Sequence, residues 1–282
     1  MLNIPDFFES FDRRGGFPAL PEVISEIVHE IDAERISIVD LARLVQKDMS
    51  FAVQILAHAN SPAYNMPNRV TNLSLALQII GLRPLKALCL TIPLFTRFKH
   101  IMGLPELWYH SRVTALCTRI AAEKFRQTLQ VDVEVAETLG LIHEIGKVFL
   151  FLEADEFMQC QMQLADDPQT LPDWKRERKA LRFDHSFIGT RFGRKFNLPP
   201  AMLDALLYHH EPEKAQYQQE LVYLCALGDQ VATMIGAIHP DFRFVEPQIL
   251  EIQKRLGLLP VHFQDLLQEC VRRSLGISLI ET

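Results

Sequence analysis

Five of the ten histidines in this chain, His110, His143, His185, His209 and His210, fall in or beside helical segments of its second half. Acidic residues accompany them. Glu106 precedes His110 by four residues, which puts both on one helix face. Glu144 follows His143 directly, and Asp229 ends the apolar run Leu224-Cys225-Ala226-Leu227-Gly228. Imidazole and carboxylate ligands together suit iron, manganese, zinc or nickel, and helix bundles hold such ions between facing helices. Any one of these histidines, or the His209-His210 pair taken alone, is more often a structural residue. Five histidines and three acids recurring on successive helices form a donor set, and the set implies a centre for divalent metal.

The elements that must position these side chains read as helices, with strand alternation almost nowhere. Ser37-Ile38-Val39-Asp40 has the form of a capping box with a shorter acid, and Leu41, Leu44 and Val45 follow at helical spacing. Asp48 is placed to cap a helix carrying Phe51, Ile55 and Leu56, which Asn60-Ser61-Pro62 then stops. Another helix starts at Thr71 or Asn72 and ends at Gly81, and Pro84 fits the first turn of the next. Periodicity predicts further helices from Glu106 through Phe125, from Val133 to about Leu152, and near 184–196, 200–210, 219–237, 247–256 and 261–274. Asp155 to Pro172 is polar and glutamine-rich, which predicts a short helix and a loop. Lys99-His100-Ile101-Met102-Gly103-Leu104-Pro105 interrupts the pattern. It divides the chain into an N-terminal helical lobe over 1–100 and a larger helical lobe over 101–282. Val261, Phe263, Leu266, Leu267, Cys270 and Val271 predict a helix that closes the core, with dimerisation the lesser use of that face. The expected fold class is all-α, a two-lobed helical bundle.

Composition bounds the function classes. A chain of 282 residues can bury a substantial core, and its hydrophobic fraction of 48% and charged fraction of 23% are those of an ordinary globular protein. No stretch approaches the ~18 consecutive apolar residues of a membrane span. Met1-Leu2-Asn3-Ile4-Pro5-Asp6 lacks the basic-then-apolar order of a signal peptide, so a cytoplasmic location with no membrane role is expected. Cys89, Cys117, Cys160, Cys225 and Cys270 are scattered and form no C-x-x-C pair, so they read as small buried hydrophobes. A formal charge of −6 argues against broad nucleic-acid binding. Lys175-Arg176-Glu177-Arg178-Lys179, with Arg182 behind it, reads as a solvated helix face, the alternative being a docking patch for an acidic partner. Pro62-Ala63-Tyr64-Asn65-Met66-Pro67 reads as a connecting loop, the alternative being an exposed contact loop.

The segment Leu141-Ile142-His143-Glu144-Ile145-Gly146-Lys147 resembles the His-Asp-x-Gly-Lys signature of the HD phosphohydrolase superfamily, with glutamate in place of aspartate. Beside that match, His110 resembles the histidine of the first HD helix, and Asp229 the distant aspartate that completes a mononuclear site. His185, His209 and His210 resemble the extra ligands of members that hold two or more metals, and Glu106 a further acidic ligand of some polynuclear members. The first lobe narrows the resemblance to HDOD domains. Phe17-Pro18-Ala19-Leu20-Pro21-Glu22 is similar to their opening, and so are Leu56-Ala57-His58-Ala59-Asn60-Ser61-Pro62-Ala63-Tyr64, Val70-Thr71, Ile79-Ile80-Gly81-Leu82-Arg83 and Leu107-Trp108-Tyr109-His110-Ser111. The likeness spans roughly residues 15 to 235.

HDOD proteins are generally regarded as signalling or regulatory modules, many of which have lost HD ligands. This chain keeps nearly all of them. The resemblance therefore implies a regulatory protein that acts through a protein partner in a bacterial-type signalling pathway, with a metal site in its HD-like lobe. It equally implies a metal-dependent phosphohydrolase acting on a nucleotide or another small phosphoester. There the ions, two in a binuclear site, would lower the pKa of a water and orient it, with Glu144 and Lys147 as catalytic residues and Lys147 contacting the phosphate. The extra methylene of Glu144 pushes its carboxylate outward, and a displacement of ~1 Å can keep a metal yet lose a rate. A third reading, a metal-free scaffold with inherited histidines, rests on Glu144 alone. Pro212-Glu213-Lys214-Ala215-Gln216-Tyr217 follows His209-His210-Glu211, and the Gly-Tyr-Pro of the HD-GYP phosphodiesterases is absent, so cyclic-di-GMP is not the expected substrate.

Overall fold

Short polar side chains set where the first helices begin. The computed structural model describes residues 13, 20–98, 103–153, 173–236 and 249–277. After α1 (Glu22–Asp32), the Ser37 hydroxyl accepts the Asp40 N–H and donates back to the Asp40 carboxylate at 2.7 Å, which starts α2 (Ile38–Val45). Asp48 accepts the Phe51 N–H at the head of α3 (Met49–Ala59), and Asn72 accepts that of Leu75 at the head of α4 (Leu73–Ile80). Each such cap satisfies an N–H that the helix cannot, and losing one costs about 1 kcal/mol. Gly81, at φ +84, ends α4 and leads into α5 (Leu82–Phe98).

The second half is built around α6 (Leu104–Lys124), followed by α7 (Arg126–Leu129), α8 (Val133–Ile142) and α9 (Ile145–Glu153). Beyond them come α10 (Asp173–Leu181), α11 (His185–Lys195), α12 (Pro200–Tyr208), α13 (Gln219–Met234), α14 (Ile249–Arg255) and α15 (Pro260–Ser274). Helix α6 packs on α8, α13 and α15, while α9 packs on α11 and α11 on α12. A Cβ on Gly140 would lie 2.7 Å from the Ala115 Cα, so α6 and α8 approach more closely than a side chain there allows. The all-α expectation holds, with no strand among the described residues. No single described helix is long and apolar enough to cross a membrane.

The segment chosen as a boundary falls largely on residues 99–102, outside the described residues, as do Phe17 to Ala19, Asp155 to Pro172 and Cys160. The other four cysteines are buried and free, as expected. Leu266 and Cys270 of α15 are buried as the closing-helix reading requires, but Val261 and Val271 face solvent. Helix α5 packs on α1 and α4 and also on α6 and α8, so the two proposed lobes meet along it.

The segment read as a loop is instead a structural joint. Asn60 accepts the Val70 N–H and donates to the Val70 and Leu56 carbonyls, which fixes the turn Pro62–Tyr64. The Tyr64 hydroxyl then donates at 2.7 Å to Glu137 of α8, which also pairs with Arg119 of α6 at 2.6 Å and with His58 at 3.7 Å. Arg273 of α15 donates to the Pro62 and Ala63 carbonyls. Burial pushes the Glu137 carboxyl up, but His58, Arg119 and Tyr64 outweigh it and hold it below the usual range. Only Asn65, Met66 and Pro67 of that segment are exposed.

Candidate metal centre

The donors come from five places in the fold. His110 lies in α6, His143 and Glu144 in the break between α8 and α9, and Lys147 in the first turn of α9. His185 opens α11, His209 caps α12 with His210 after it, and Asp229 lies in α13. The expected continuous helix from Val133 to Leu152 is thus interrupted at its most informative point. His143 and Glu144 sit in a turn, not at adjacent helical positions. The break lets α9 set off against the start of α11, where a Cβ on Gly146 would fall 1.9 Å from the His185 carbonyl oxygen. Glycine at the fourth position of the motif is therefore a packing requirement.

The donors expected from the sequence form two groups, and Glu144 belongs to both. His110, His143 and Glu144 make the first, and Glu144, His185, His209 and His210 the second, with the donor atoms of each within 4.8 Å of one another. Asp229 joins the first group through its Oδ1, 3.0 Å from His110 Nε2 and 3.6 Å from His143 Nε2. One Glu144 oxygen lies 4.0 Å from His143 Nε2 and the other 3.4 Å from His185 Nε2. His185 Nε2 is 3.3 Å from His209 Nε2 and 3.0 Å from His210 Nε2. None of these seven side chains belongs to a residue more than 8% exposed.

The far side of three rings fixes their tautomers. His143 Nδ1 lies 2.9 Å from the Gly140 carbonyl, His209 Nδ1 3.1 Å from that of Leu206, and His185 Nδ1 2.7 Å from Glu177 Oε2. Carbonyls and carboxylates only accept, so each Nδ1 must carry the proton and each Nε2 faces the cluster. Electrostatics follows from the crowding. Burial pushes Glu144 up, but His185, Lys147 and His143 outweigh it and hold its carboxyl far below the usual range. Burial opposes charge on His185, yet Glu144 and Glu177 lift it to about 9, so a metal ion bound there would displace the Nε2 proton. Burial and then the neighbouring histidines drive His209 and His210 well down, leaving them neutral as metal ligands must be. Burial raises Asp229, but His110 and His143 beside its carboxylate outweigh that and hold it well down.

These donors fit divalent metal. Bonds of about 2.1 Å at tetrahedral or octahedral angles put neighbouring ligand atoms about 3.0 to 3.4 Å apart, and Glu144, His209 and His210 stand at that spacing from His185 Nε2. His143 Nε2 and Glu144 Oε2 are also buried without a hydrogen-bond partner, an arrangement that costs free energy unless another group satisfies it. His110, His143, Glu144 and Asp229 would hold one ion, and Glu144, His185, His209 and His210 a second. Glu106 stands in neither group; it lies in the first turn of α6 with Oε2 buried and no hydrogen-bond partner.

Three residues around the centre escape the sequence reading. Asp173, Trp174 and Glu177, all in α10, lie against the donors. Asp173 pairs with Lys147, which also donates to Glu144 at 2.7 Å. Burial disfavours the Lys147 charge, but Asp173 and Glu144 more than offset it and hold its pKa well above the ordinary value. The Trp174 ring stacks on His210 with centroids 5.5 Å apart. The basic run is accordingly a solvated face only at Lys175, Lys179 and Arg182. Arg176 and Glu177 are 5% and 2% exposed, and Arg178 pairs with Asp184 and Glu211 while lying over Trp174. The signal available was the tryptophan and the glutamate among the basic residues, at odds with a purely solvated surface.

A family model described as the HDOD domain matches residues 17–212. An uncharacterised protein of Treponema pallidum is 22% identical over 232 residues, which are 81% of this chain and 44% of that protein. The chain thus spans less than half the length of that relative. A solved structure from Marinobacter aquaeolei, provisionally named a signal transduction protein, superposes with a TM-score of 0.69 at 23% identity over 92% of this chain and 58% of the other. One from Shewanella amazonensis, provisionally named a phosphohydrolase, gives 0.67 at 18% over 96% and 97%. At these identities the likeness is one of fold.

Proposed function

The chain belongs to the HDOD domain family, and from that premise we propose that it is a regulatory signalling protein whose HD-like lobe holds a binuclear centre of iron, manganese, zinc or nickel. The observation that carries this reading is the burial of the whole centre, with α10 packed against His185, His210 and Lys147. Its seven donors are at most 8% exposed, and Lys147, itself 4% exposed, is clamped between Glu144 and Asp173. Catalytic metal sites keep a position open for water or substrate, whereas structural ones are closed. A sealed centre suits a role in holding α6, α8, α11, α12 and α13 together, with the output carried by a protein partner. A cytoplasmic setting belongs to the same proposal, and the free thiols of Cys89, Cys117, Cys225 and Cys270 agree with a reducing compartment.

The second reading, a metal-dependent phosphohydrolase acting on a nucleotide or other small phosphoester, is favoured by the paired donor groups that share Glu144. Two ions there would supply an activated water and neutralise charge on a phosphoryl group. Lys147 is placed to hold a phosphate oxygen once Asp173 gives it up, and Glu144 would bind both ions. The test is turnover of p-nitrophenyl phosphate, bis-p-nitrophenyl phosphate and nucleotides by metal-loaded protein. The regulatory reading expects rates no higher than those of His143→Ala. Metal-dependent turnover lost in both His143→Ala and His209→Ala would replace it with the hydrolytic one.

A further inference from the structure

The donor histidines differ in what holds their outer edge. His143 and His209 lean on neutral backbone carbonyls, 2.9 Å and 3.1 Å away. His185 leans on a carboxylate: Glu177 Oε2 accepts its Nδ1–H at 2.7 Å and its backbone N–H at 2.8 Å. Both residues are buried, His185 at 0% and Glu177 at 2% exposed. Asp173, Glu177 and His185 also lie close enough to form a donor group of their own. Yet His185 uses Nδ1 toward Glu177 and Nε2 toward Glu144, His209 and His210, so one ring separates Glu177 from the second ion's position. The oxygen nearest His185 is already engaged twice.

We propose that Glu177 is a positioning residue of the metal centre. It fixes the ring angle and tautomer of His185 so that Nε2 is presented to a borderline transition-metal ion such as Zn²⁺. A carboxylate behind a ligating imidazole makes the ring a stronger donor, and removing such a partner typically weakens metal binding about 10–100-fold. The two hydrogen bonds to one oxygen tie the ring and the first backbone N–H of α11 to α10, so Glu177 aligns side chain and main chain together. This inference rests on the metal-centre reading of the donor set.

Apo protein is titrated with Zn²⁺ against a chromogenic chelator for wild type, Glu177→Gln and Glu177→Asp, alongside ¹⁵N-histidine spectra of the wild type. The expected result is two ions for all three proteins, with one affinity weakened about 10–100-fold in Glu177→Gln, partly restored in Glu177→Asp, and the other unchanged. The wild-type spectra should place a proton on His185 Nδ1, assigned by its loss in His185→Gln. Loss of thermal stability in Glu177→Gln with both affinities intact would overturn the proposal, leaving only a packing role. If Glu177→Gln does not fold, a wild-type His185 lacking a proton on Nδ1 overturns it, and a proton there with weakened binding in Glu177→Asp supports it. Wild-type protein that takes up no Zn²⁺ removes the metal-centre reading and this inference together. Two ions bound equally by all three variants removes this inference alone.

Discussion

Replacing Glu137 by glutamine tests the joint between the first helices and the metal-bearing ones. The carboxylate is 2% exposed and receives Tyr64 at 2.7 Å and Arg119 at 2.6 Å, one on each oxygen. Glutamine has nearly the same shape but only one accepting oxygen, so its NH₂ must face either the hydroxyl or the guanidinium. Removing one partner of a buried ion pair costs ~3–5 kcal/mol, because the other charge is left uncompensated. Arg119 retains Glu123 at 2.9 Å and a side chain 16% exposed, which moves the expectation to the lower end, about 3 kcal/mol. At roughly 2–3 °C per kcal/mol for a chain of this size, the midpoint should fall by about 6–9 °C. Scanning calorimetry of wild type and Glu137→Gln at pH 7 measures it. A midpoint within about 1 °C of wild type would refute the reasoning, since the buried charge would then contribute nothing that the amide cannot replace.

Further predictions follow from the same geometry. Because Glu137 titrates below its ordinary value in the folded protein, its contribution is complete above the unfolded glutamate pKa of ~4.3 and lost as pH falls through the lower folded value. The gap in midpoint between wild type and Glu137→Gln should therefore be constant at pH 6–8 and narrow below about pH 4; a gap that widens in acid contradicts it. Gly146→Ala should destabilise by about 1–3 kcal/mol or more and lower metal content, since its Cβ meets backbone, not a yielding side chain. Calorimetry and metal analysis check both, and native values for each would show that α9 and α11 can part freely. Trp174→Ala removes the stack on His210 and should speed amide exchange across 173–181 by about tenfold, for a loss of about 1.4 kcal/mol of local stability. Exchange confined to its wild-type rate would mean that α10 is held by other contacts.

The donors were visible in the sequence because imidazole and carboxylate are rare in apolar helices and the His143-to-Lys147 spacing is distinctive. The resemblance also implied a mononuclear set and a set of extra ligands; that Glu144 joins the two was not legible, since it depends on α9 meeting α11 at Gly146, a contact between segments far apart in sequence. The caps at Ser37, Asp48 and Asn72 were legible because capping is local. Tyr64 was missed as a partner for the opposite reason: its acceptor lies 73 residues on. Glu137 and Arg119 did carry a signal, each a charge on the apolar side of a helix, where an unpaired charge is too costly to stand alone. The residues of α10 were obscured by their company, because arginines paired within the protein and arginines in solvent look alike in sequence.

The metal content of protein purified without added metal and without a histidine-rich tag tests the central claim most directly. Inductively coupled plasma mass spectrometry should find about two ions of iron, manganese, zinc or nickel per chain, falling to about one in His143→Ala as the first donor group is broken. Wild-type protein that is metal-free as purified, and that takes up none of these ions on reconstitution, would contradict the account.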